Sequence, residues 1–98
     1  MSFFIEPTAY EKTLLSDLQG AWECLRATLV EQAGFAGWDK LLFHTDEAMS
    51  WETVRHLERM APLVTLIRNL AIQGQAPAQI IDEIDEIADI LAEVLSVS

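Results

Sequence analysis

Apolar residues recur along this chain at intervals of three and four, the spacing of helical stripes rather than the two-residue alternation of strands. Tyr10, Leu14, Leu18, Ala21, Trp22, Leu25 and Leu29 form the first stripe. It opens at Thr8-Ala9-Tyr10-Glu11, where a hydroxyl and a carboxylate three residues apart suit the reciprocal bonds of a capping box. It runs to Gln32 and is closed by Gly34, a residue free to take the left-handed conformation that ends helices. Gly20 lies inside the stripe at a cost of about 1 kcal/mol relative to alanine. That cost predicts close approach of a neighbouring helix or relief of crowding beside Trp22.

The stretch from Phe35 to His44 is less regular, with Gly37 and the rings of Phe35, Trp38 and Phe43 around Asp39-Lys40-Leu41-Leu42; it predicts one short, aromatic-rich helix. A second long helix is expected to start at Ser50 or at Thr45, both good N-caps. Pro62 lies within its pattern and predicts a kink or break just before that residue. Upstream, Trp51, Val54, Leu57 and Ala61 make a narrow seam, whereas Leu63 to Ile72 is apolar round most of its circumference. Such a segment is buried on several sides or shared with another copy of the chain. Gly74 ends it, and Pro77 starts the last helix.

That last helix has the sharpest division of faces. Ile80, Ile81, Ile84, Ile87, Ala88, Leu91, Val94 and Leu95 fall on one side, and Asp82, Asp85, Glu86, Asp89 and Glu93 on the other. No lysine or arginine follows Arg68, so the acids lack cationic partners one turn away. Arg55, Arg59 and Arg68 are the available counter-charges from the preceding helix. The expected fold is therefore all-α: a single domain over residues 1–98, with three long helices, the middle one kinked or broken at Pro62, plus the short aromatic-rich helix.

Composition narrows the partners. An apolar share of 51% with 22% charged residues suits a folded domain. Six cations against sixteen acids give a formal charge of -10, which repels nucleic acid and anionic membrane surfaces and attracts basic proteins. No window approaches the ~18 consecutive apolar residues of a membrane span, and the start lacks the basic region of a signal peptide. The expected setting is the cytoplasm. Cys24 has no second cysteine to pair with, and its place in the first helix predicts a packing role.

Candidate chemistry is sparse. His44 and His56 lack the carboxylate company of a helical metal site, and the acids from Asp82 to Glu93 lack the loop glycine and ligand spacing of a calcium loop. No glycine-rich phosphate loop or local nucleophilic triad occurs. The run Ile81-Asp82-Glu83-Ile84-Asp85-Glu86-Ile87 resembles the first helix of small helical chorismate mutases. That family holds a dianionic substrate with several cations, and here none follows the run, so the family is not assigned. These absences point to a non-enzymatic protein without metal or cofactor. The expected function is an acidic interaction module that binds, and thereby inhibits or chaperones, a more basic protein, in the physical style of immunity proteins, antitoxins and phage-encoded inhibitors. Its contacts would be Asp82, Asp85, Glu86, Asp89 and Glu93, joined by Trp38 and Phe43, since binding hot spots favour aromatics. The alternative is a structural or regulatory homodimer formed through Leu63, Leu66 and Leu70.

Overall fold

A computed structural model of the chain describes residues 9–53 and 56–97, and every regular element among them is helical. Four α-helices follow in order: α1 (Ala9–Glu31), α2 (Trp38–Thr53), α3 (Met60–Gln73) and α4 (Ala78–Val97), with a short 3-10 turn at Leu57–Arg59 leading into α3. Phe3-Phe4-Ile5, the Thr8 hydroxyl, the side chains of Tyr10 and Glu11, and Val54 and Arg55 lie outside the described residues. No helix among the described residues is long and apolar enough to cross a membrane.

The helices form an antiparallel bundle in which α1 packs on α2 and α4, and α3 on α2 and α4. Paired side chains fix the directions. Along α1 and α4, Thr28 meets Glu83 and Gln32 meets Gln79, so the numbers rise on one helix as they fall on the other. Arg26 meets Asp46 and Trp38 meets Leu29 in the same opposed sense between α1 and α2.

The stripes predicted for the first and last helices become the core. Leu18, Leu25 and Leu29 of α1 are fully buried and Trp22 is nearly so, facing Ile80, Ile84, Ile87 and Leu91 of α4. Leu41 and Ala48 of α2 and Met60, Val64, Ile67 and Ala71 of α3 complete it. Each large side chain withdrawn from water contributes about 1.5–3 kcal/mol, which offsets the entropy of ordering four helices.

The middle of the chain divides differently from the expectation. The short aromatic-rich helix and the start of the second long helix are one element, α2, which begins at Trp38 directly after Gly37, whose φ of 80° is a left-handed turn conformation. Thr45 and Ser50 are therefore interior to a helix rather than caps. Ser50 Oγ donates to the Asp46 carbonyl one turn back, and Thr45 is buried. Ser50 thus satisfies itself locally within the helix as a cap does at its start, whereas Thr45 is drawn inside by burial, and neither marks a boundary. The break falls between Thr53 and Met60, ahead of the place Pro62 suggested. Pro62 stands in the first turn of α3, where a missing amide costs no intrahelical bond.

Two small-residue expectations change as well, and a third is met by a different conformation. Gly20 is exposed, and a Cβ on it would meet nothing within 4 Å, so no helix approaches it closely. Cys24 is exposed rather than packed in the core. Gly74 closes α3 as expected, but at φ -83° it is not left-handed. The left-handed residue is Gln75, at φ 55°. The Gln75 amide donates to Ile72 and the Ala76 amide to Ala71, the paired bonds of a Schellman motif. Glycine at 74 serves contact instead: a Cβ there would overlap the Ala36 carbonyl oxygen in the α1–α2 turn.

Candidate functional site

The outer face of α4 follows from helical geometry. Successive residues turn by about 100°, so Asp82, Glu86, Asp89 and Glu93 share an arc of roughly 60°. That arc lies opposite the buried line of Ile80, Ile84, Ile87, Leu91 and Val94. All four acids are exposed. Among the described residues no lysine or arginine pairs with Asp82, Glu86 or Asp89. Four carboxylates on adjoining turns build a local negative potential that a desolvated cation would relieve.

The two remaining acids of α4 point sideways and are engaged. Asp85, expected among the outward acids, accepts a 2.6 Å hydrogen bond from Arg68 Nε of α3. This contact sets it apart from the outward row, because a guanidinium already stands against its carboxylate. Glu83 turns the other way, towards α1. Its two oxygens stand 2.7 and 2.9 Å from the hydroxyl of Thr28, which is only 4% exposed. The Thr28 hydroxyl also stands 3.0 Å from the Cys24 carbonyl, and its single proton serves these acceptors one at a time. Cys24 Sγ lies 3.7 Å from Glu83 Oε2, and Gln32 Nε2 donates to Gln79 Oε1 at 2.9 Å. α4 is thus held on both flanks by polar contacts, with the row of four acids between them.

Cys24 stands on the α4 side of α1, in a groove also lined by Asp17, Gly20 and Glu86. Partial desolvation first, then the charge and hydrogen bond of Glu83 and the charges of Glu86 and Glu31, push its thiol pKa up. The thiolate that a nucleophile or metal ligand needs is disfavoured there. Among the described residues no group of three or more His, Cys, Asp or Glu side chains could hold a metal ion.

The aromatic pair does not form one surface. The Trp38 indole donates to the Leu29 carbonyl near the end of α1 and is half-buried, so its polar edge is spent on the fold. Phe43 points outward and is 66% exposed, with its ring against the edge of His44. Leu63 and Leu70 are half-buried beside the core and Leu66 is 39% exposed between them.

The contacts between Cys24 and Thr28 on α1, with Gln32 just past its end, and Gln79, Glu83 and Glu86 on α4 were not anticipated. Their signal is a polar series spaced by four on one helix and by three and four on the other. It becomes legible only once the two helices are known to run antiparallel. Comparison of the chain with protein-family models, with curated proteins and with solved structures finds no match.

Proposed function

We propose that this chain is a non-enzymatic interaction module of the cytoplasm, in which the outer face of α4 docks on a more basic protein and thereby inhibits or chaperones it. The observation that supports this reading is the row Asp82, Glu86, Asp89 and Glu93, opposite the core and on a helix that carries no cation. Such a row accelerates encounter with a positive surface and fixes its register, more than it adds raw affinity. Phe43, the most exposed large apolar side chain described, is a secondary contact outside that row.

The test compares the full chain with its Asp82→Asn/Glu86→Gln/Asp89→Asn variant, each immobilised and challenged with host proteins at low and high salt. A basic protein retained by the parent at low salt, released at high salt and not retained by the variant supports the reading. Equal retention on both, or retention indifferent to salt, removes the electrostatic basis of the proposal.

A further inference from the structure

We infer that the outward side of α3 is a self-association face that joins two copies of this chain in a symmetric dimer centred on Leu66. The inference is independent of the acidic face of α4. It rests on how charge and apolar surface are divided among the helices.

α4 carries six acids and no cation, and α1 and α2 are also acid-rich. α3, from Met60 to Gln73, contains no acid at all. Its single charge, Arg68, is turned towards α4 and held by Asp85. The rest of its solvent-facing side is uncharged, from Pro62 through Leu66 and Asn69 to Gln73. Leu66 is 39% and Ile72 47% exposed, with half-buried Leu63 and Leu70 bordering Leu66. Apolar side chains three and four residues apart form a ridge of the kind that seats against another helix.

The charge map selects the occupant. Two copies, each carrying -10, repel one another wherever acids face acids. They approach at least electrostatic cost through the one helix that has none. A basic partner would find no carboxylate on α3 to pair with, whereas a second α3 offers the same uncharged, apolar ridge. A two-fold axis across α3 places Leu66 against Leu66 of the second copy, with Leu63 and Leu70 on either side, and a closed interface of this kind cannot propagate into fibres. It also leaves both α4 rows clear of the contact. A stable version buries about 1,200 Å² or more in total, so it extends beyond the ~21 Å length of α3 onto the adjoining start of α2, where the cation Lys40 shares a groove with Leu70 and Gln73.

Sedimentation of the full chain at tens of micromolar, at low and high salt, tests the inference. The expected result is a dimer that strengthens as salt rises, because screening weakens repulsion between like-charged copies. Leu66→Lys is expected to raise the dimer dissociation constant about tenfold or more. Leu66→Gln, which keeps the side chain's length without its apolar end, moves it in the same direction, and circular dichroism confirms that each variant folds. A monomer at these concentrations overturns the inference, as does a dimer indifferent to both substitutions or one that dissociates as salt rises. Binding of a basic protein has the opposite salt dependence and requires the α4 carboxylates, so failure of either reading is visible without the other.

Discussion

Arg68 Nε donates to the Asp85 carboxylate at 2.6 Å, a bond between α3 and α4 at the border of the acidic row. Both side chains remain about half in contact with water, at 45% exposure each, so the pair shapes the surface field more than it supports the fold. Replacing the arginine releases the Asp85 carboxylate beside the row that holds Asp82, Glu86 and Asp89. Under the proposed function, Arg68→Gln raises the association rate with a basic partner and steepens its salt dependence. Stopped-flow mixing at several salt concentrations measures both, and a slower or unchanged rate would place binding elsewhere.

Two helix-associated glycines are predicted to answer oppositely to alanine. Gly20→Ala adds a methyl in open space on an exposed helical surface and stabilises the chain by about 1 kcal/mol. Gly74→Ala drives a methyl into the Ala36 carbonyl, so the α1–α2 turn must move, at a cost of about 1–3 kcal/mol. Denaturant midpoints of the two variants should fall on opposite sides of the parent's.

Gln75 holds the left-handed conformation that ends α3 without glycine's freedom to do so. Gln75→Gly is expected to stabilise the chain, with a net gain of about 0.5–1 kcal/mol once the greater entropy of the unfolded glycine chain is subtracted. A lower melting temperature in the variant would show that the Gln75 side chain contributes more than its backbone costs.

Among the described residues, Thr45 Oγ1 and Trp22 Nε1 are buried without a hydrogen-bond partner. Thr45 is wholly enclosed, so its hydroxyl has lost water without recovering a bond. Thr45→Val preserves the shape, removes the uncompensated group and should raise unfolding stability by about 1 kcal/mol. Urea titration of parent and variant measures the difference, and a loss of stability would mean that the hydroxyl is partnered in solution.

The raised thiol pKa of Cys24 has a definite pH signature. The folded state holds the proton more tightly than the unfolded chain, so the contribution is fully present below the unfolded thiol's pKa of about 8.5 and is lost as pH rises through the folded value. Alkylation of Cys24 should be slower than that of an unfolded control near neutrality, with its rate rising at a higher pH. Glu83→Gln, which removes a neighbouring charge, should move that profile back towards the control. An unchanged profile would assign the shift to desolvation and the charges of Glu86 and Glu31.

What was legible in the sequence depended on how completely one side of a segment is covered. Leu18, Leu25 and Leu29, and Ile80, Ile84 and Ile87, declared both their helices and their buried faces, because a pattern with one apolar side has one way to pack. Element boundaries in the middle were less visible. Thr45 and Ser50 have the chemistry of caps but lie within α2, and Pro62 signalled an interruption that the chain makes several residues earlier. The outward row on α4 followed from spacing alone. The capture of Asp85 by Arg68 and of Glu83 by Thr28 did not, since both contacts depend on which helix lies on which side.

Because Glu83 is anchored towards α1 and Asp85 towards α3, α4 resists rolling about its own axis, and the carboxylates between these anchors form a ruler of fixed azimuth. From Asp82 to Glu93 it measures roughly 16 Å at the rise of an α-helix. A molecule that engages all four marks must offer its cations along a line of that length and straightness, which a helix with basic residues every third or fourth position does and a tightly curved loop does not.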